Sequence, residues 1–172
     1  PDVAAHDMQM IRRYEIQKRR LHHILREVRC VVAGSQYLAQ YARQFTPSVH
    51  VVPSSIDLTR YPIKPSVTNP VPVVLGWIGS PENLTDFEAI RSPLREALER
   101  LKGRAVLKVV STRPLTMDDL PAQFEQWVLD RDAEFLHGFD IGLMPLQNTE
   151  LSRGRCAFKA VLYMGVGLPV LA

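Results

Sequence analysis

Along residues 5–29, Met8, Ile11, Tyr14, Leu21, Ile24, Leu25 and Val28 recur at spacings of three and four. That period lines one face of an α-helix. Arg12, Arg13, Lys18, Arg19, Arg20, Arg26 and Arg29 occupy the other faces. Residues 30–34, CVVAG, form a short apolar run that predicts a strand. Ser35 is placed to cap a helix running to Phe45, and residues 49–52 read as a second short strand. Between 53 and 72 the pattern dissolves into Pro53, Pro62, Pro65, Pro70 and Pro72 with serines and Asn69, the composition of a linker.

Downstream, elements alternate. Residues 73–79, VVLGWIG, are continuously apolar, which predicts a strand buried on both faces. Leu84, Phe87, Ile90, Leu94, Leu98 and Leu101 mark a helical stretch with a kink or restart at Ser92 and Pro93. Strands are predicted at 105–111, 126–129, 140–146 and 168–172, and a helix at 155–165. Strands alternating with helices pair in parallel through right-handed crossovers. The fold class expected is α/β, a Rossmann-like parallel sheet with helices on both faces.

The chain has 172 residues, 46% hydrophobic and 23% charged, enough to build a core. No apolar run approaches the ~18 residues of a membrane span, and the N-terminal PDVAAHDM lacks the apolar region of a signal peptide. Cys30 and Cys156 fall in apolar segments and read as buried, reduced thiols, which favours a cytoplasmic protein. A net charge of +3 is mild and suits a phosphate-bearing ligand as well as anything larger. Without an initiating Met, and with an apolar strand pattern at its end, the chain reads as a fragment. His6, His22, His23, His50 and His137 show no metal-ligand spacing. No metal and no cofactor are expected.

Ligands of open parallel sheets sit beyond the carboxyl ends of the strands. Three loops qualify: residues 79–83, 111–113 and 147–154. In the first, Gly76 and Gly79 either admit a close ligand or simply pack. Gly79, Ser80 and Asn83 lie ahead of a helix, where free N–H groups favour an anion. The third loop leads into Arg153, Gly154, Arg155 and Lys159. A helix starting near Gly154 would stack Arg155 and Lys159 one turn apart. Cations at a helix N-terminus oppose its dipole, so an anion held between them would account for the cluster. The plain alternative is a solvated basic face. Trp77, Trp127 and Tyr163 read as core or interface aromatics.

The segment PLQNTELSRGRCAFKAVLYMGVGLPVLA resembles the C-terminal signature of glycosyltransferase family 4. FDIGLMPL, VHVVPSSIDLTRY and GWIGSPENL resemble three earlier family segments, and all four run in family order over about residues 30–172. The resemblance implies a GT-B architecture of two Rossmann-like domains. Residues 1–52 would end the acceptor-side N-terminal domain, 53–72 would be the interdomain linker, and 73–172 the donor-binding domain. The implied reaction is metal-independent, retaining transfer of a sugar from a nucleotide-diphosphate donor. The missing N-terminal domain would be needed in cis, so the chain alone is not expected to transfer sugar. The donor diphosphate and nucleotide would be bound by Gly79, Ser80, Asn83, Ser111, Arg153, Gly154, Arg155 and Lys159, with the base toward residues 111–113.

Two departures stand out. The family's pair of glutamates maps onto Gly154 and Leu162, and its Arg and Lys after the first donor-domain strand are absent, leaving Glu82 and Asn83. Glu150 is the candidate catalytic and sugar-contacting carboxylate. Partners expected are a nucleotide sugar and a sugar, lipid-linked or protein acceptor, with no nucleic acid. The basic N-terminal helix reads as a solvated surface helix or as a peripheral contact with an anionic membrane. Other readings are a GT-B-fold nucleotide-sugar epimerase and a non-catalytic nucleotide-binding module.

Overall fold

The computed structural model describes residues 3–65, 71–114 and 119–172, in two compact units, Pro1–Pro53 and Ser54–Ala172. Unit 1 opens with α1 (Val3–Glu27), followed by β1 (Val31–Ala33), α2 (Gln36–Ala42) and β2 (Val49–Val51). The Ser35 hydroxyl accepts the Leu38 N–H at 3.2 Å, satisfying one of the amides a helix start leaves open. His22 fastens α1 to α2 through the Tyr41 hydroxyl at 2.7 Å and a stack on Phe45 at 4.3 Å. β1 and β2 pair in parallel. Cys30 is exposed rather than buried, because it precedes β1 instead of entering it.

Unit 2 is α/β, built on five parallel strands in the order β5-β4-β3-β6-β7 and flanked by helices. These strands are β3 (Val73–Ile78), β4 (Ala105–Ser111), β5 (Ala122–Gln126), β6 (Ile141–Leu143) and β7 (Val170–Leu171). The helices are α3 (Leu84–Glu88), α4 (Arg91–Leu101), α5 (Asp132–His137), α6 (Glu150–Arg153) and α7 (Phe158–Gly165). Each face of the sheet has its own core. Leu75, Trp77, Leu107 and Val109 meet Phe87, Leu94 and Leu98 of α3 and α4 on one side. Ile78 and Val110 meet Phe135, Phe139, Leu162 and Tyr163 on the other.

That second face is shaped by glycine. A Cβ on Gly76 would fall 1.9 Å from the Phe139 ring, and one on Gly142 would fall 2.4 Å from the Tyr163 ring. Gly76 is therefore a packing glycine, not a ligand-approach glycine. The Tyr163 hydroxyl accepts the Ile78 N–H and donates to the Leu143 carbonyl, both at 3.3 Å. Burial pushes its pKa up to about 12.

Three boundaries differ from expectation. The strand expected at 126–129 lies at 122–126, a half-polar edge strand with Pro121 before it, so apolar content does not mark it. The helix expected at 155–165 starts only at Phe158, because Ala157 sits in the left-handed region at φ 51°, and a further helix, α6, closed by Gly154, falls in the expected loop. The stretch 84–101 breaks at Ala89 and restarts at Arg91, which places Pro93 in the first turn of α4, where its missing N–H costs nothing.

The described part of the expected linker, residues 54–65 in unit 2, has no regular element and is mostly exposed, with Ile56 and Tyr61 packed against the second core; residues 66–70, with Asn69 and Pro70, lie outside the described residues. The Lys64 ammonium meets the Asp140 carboxylate at 2.7 Å, and the other carboxylate oxygen accepts the Val74 N–H at 2.8 Å.

Candidate functional site

Chain order makes β3 the pivot of the sheet. From β3 the chain runs to β4 and β5 on one side, then returns to place β6 and β7 on the other. Strand order reverses between β3 and β6, and open α/β sheets form a crevice at the carboxyl ends flanking such a switch. Two adjoining clefts lie here. The first, about 290 Å³, is lined by Trp77, Asn83, Asp86, Arg155 and Phe158 among others. The second, about 310 Å³, lies among Gly79, Ser80, Thr112, Trp127, Asp132 and Leu162. Phe158 and Lys159, at the start of α7, line both. A roomier apolar hollow of about 540 Å³ sits at the opposite end of the strands, around Val73, Ala105 and Ile141, and offers a ligand only the polar group of Arg104.

Lys159 is the centre of the arrangement. Its Nζ lies 4.7 Å from the centroid of the Trp77 ring and close against Gly79, where a Cβ would come within 2.6 Å of it. Among the described residues it has no hydrogen-bond or carboxylate partner. Burial first, and then the nearby positive charge of Arg155, hold its pKa below the usual lysine value, with Asp86 opposing. Asp86, buried on α3, is occupied instead by the Arg155 guanidinium, which binds its carboxylate.

Backbone donors complete the site. The first helical bond of α7 is donated by Val161 to Ala157, which leaves the amides of Phe158, Lys159 and Ala160 open. Ala157 has no capping side chain, and among the described residues nothing covers them. An anion beside Lys159 would meet both a fixed charge and the positive end of α7.

Lys159 lines both clefts and Arg155 the first, but not as successive turns of one helix: Arg155 lies ahead of the Ala157 cap and points to Asp86. The N–H of Gly79 is taken by Val110 and that of Gly154 by Glu150, so neither backbone donor is free as expected. Asn83 lines the first cleft, yet its side chain donates to the Ser80 hydroxyl at 2.9 Å and closes the turn after β3. The side chain of Glu82 lies outside the described residues. Ser111 ends β4 fully buried, its hydroxyl without a partner among the described residues. Arg153 belongs to α6 and donates to Asn148 at 2.9 Å. Glu150, exposed at the start of α6, is not among the lining residues of either cleft.

Three participants carry no signal in the sequence pattern. Asp86 looks like an ordinary polar residue in the first turn of a helix, and only packing buries it. Phe158, half exposed between the clefts, looks like core. Trp127 is fixed by donation from its indole Nε1 to Asp132 at 2.7 Å, a contact across the turn into α5. Among the described residues no group of three or more His, Cys, Asp or Glu side chains is placed to hold a metal, and no helix is long and apolar enough to cross a membrane. Compared with known proteins, the chain matches no protein-family model and no curated protein.

Proposed function

We propose that unit 2 binds the diphosphate of a nucleotide sugar at the carboxyl ends of β3 and β6, as the donor-binding part of a retaining glycosyltransferase resembling family 4. One observation carries this reading: Lys159 is a half-buried cation with no carboxylate partner among the described residues, set beside the three open amides of α7 at the strand-order switch. A diphosphate supplies the missing negative charge, and its departure from a donor builds more, which preorganised cations stabilise. The two clefts on either side of Lys159 would take the two ends of such a ligand, the base toward Thr112 and Trp127 and the sugar toward Asn83 and Asp86.

Titration of nucleoside and nucleoside diphosphate against the wild-type chain and Lys159→Met tests it. The diphosphate should lose affinity in the variant and the nucleoside should not. Equal losses, or none, would remove the assignment. The position of Glu150 outside the lining of both clefts favours a second reading, a nucleotide-binding module without catalysis. Hydrolysis or transfer from any nucleotide sugar by the intact protein would eliminate that second reading.

A further inference from the structure

The lysines of this chain differ in what they face. Lys64 is paired with Asp140 at 2.7 Å and Lys108 with Glu125 at 2.6 Å, while Lys18 and Lys102 stand in solvent. Lys159 is the one that is partly buried and, among the described residues, unpaired. Its neighbours are an aromatic ring, a glycine and a second cation, and Asp86, the one carboxylate among the described lining residues of the first cleft, is engaged by Arg155. Burial and the second cation outweigh the Trp77 ring face and Asp86, which favour the ammonium, so this amine gives up its proton more readily than an exposed lysine. Desolvation beside another cation is how a protein turns a lysine into a nucleophile.

We propose that Lys159 is a covalent site for a small phosphate-bearing aldehyde, its Nζ forming an imine with the carbonyl carbon in the space between Gly79 and the start of α7. The lone pair of the neutral amine attacks that carbon and the C–N bond forms. The carbonyl oxygen takes up protons and leaves as water, and the nitrogen gives up its own, so no oxidant or reductant enters. The phosphate has a place beside the reacting nitrogen, near Arg155 and the open amides of Phe158, Lys159 and Ala160. Trp77 and Phe158 bound the space with apolar surface, which keeps the amine poorly hydrated. The charged groups that face the site are Asp86 from α3, Arg155 from the segment before α7, and Asp132 from α5 in the second cleft. None of this depends on the ligand being a nucleotide sugar.

Pyridoxal phosphate is the probe. The chain is incubated with it, reduced with borohydride to trap any imine, digested and mapped by mass spectrometry. Of the five lysines, Lys159 should carry the largest share of the label, and unphosphorylated pyridoxal should label it far less. Lys159→Arg should lose that label and keep the minor labelling of Lys18 and Lys102. Label spread over Lys18 and Lys102 with Lys159 no more modified than they are would overturn the proposal, and equal labelling by pyridoxal would overturn its phosphate requirement. Because wild-type mapping needs no variant, a poorly folded Lys159→Arg does not spoil the test. Repeating the labelling with excess nucleoside diphosphate separates the two readings: label at Lys159 without protection supports the amine site and counts against the nucleotide.

Discussion

Lys159 and Arg155 lie four residues apart in the chain, yet their removal should have opposite consequences. Lys159→Met keeps most of the side-chain stem against Trp77 while deleting a partly desolvated charge that, among the described residues, has no hydrogen-bond or carboxylate partner. Nothing is orphaned, so folding stability should hold or rise slightly. Arg155→Met abandons the Asp86 carboxylate, which is 6% exposed. Stranding a buried charge costs about 3–5 kcal/mol. The guanidinium itself is 30% exposed, so water reaches the pair and the lower end of that range, about 3 kcal/mol, is the expectation. Diphosphate binding should show the complementary result. A hydrogen bond to a charged group contributes about 1.5–3 kcal/mol, so Lys159→Met should weaken diphosphate binding by roughly one to two decades. Urea unfolding and calorimetric titration measure the two quantities on the same samples. Destabilisation by Lys159→Met as large as that by Arg155→Met would refute this, since it would mean that Lys159 has a structural partner.

Diphosphate affinity should fall on the alkaline side at a pH below the ~10.4 of an ordinary lysine, because the lowered pKa of Lys159 costs it its charge early; Lys159→Arg should abolish that fall in a pH series. Folding has the opposite sign: between the lowered folded pKa and the ordinary unfolded one the unfolded chain binds more protons, so stability should rise with pH across that window, as pH-dependent urea melts would show. Gly142→Ala would drive a methyl to 2.4 Å from the buried Tyr163 ring and should destabilise unit 2 by about 1–3 kcal/mol or more, whereas alanine at Gly103, open to solvent but at φ 79°, should incur only the smaller cost of backbone strain; thermal melts compare them. Asp140→Ala removes the acceptor of both the Val74 amide and Lys64, and should cost about 3 kcal/mol in urea unfolding with diphosphate affinity unchanged, because the pair sits at the amino end of β6, away from the clefts.

Continuous apolar runs at 73–79 and 105–111 identified β3 and β4 because a strand covered on both faces has no polar side to display. Ser35 announced α2 for an equally local reason, the reach of its hydroxyl to an amide three residues on. The alternation of such segments also determined the α/β class and the strand ends where a site would be sought. Where the signal was not local, the sequence was silent. β5 is an edge strand made by pairing with β4, and the apolar–polar alternation in its AQFEQ spans only four residues, too short to stand out. The cations at 153, 155 and 159 were visible as a group, but their separate fates were not. Arg153 turns to Asn148, Arg155 to a carboxylate sixty-nine positions away in the chain, and Lys159 to Trp77 across the sheet end. Charge is written in the sequence. Whether a charge finds a counter-charge depends on which distant residues the crossover connections bring beside it, and that is decided only when the sheet is assembled.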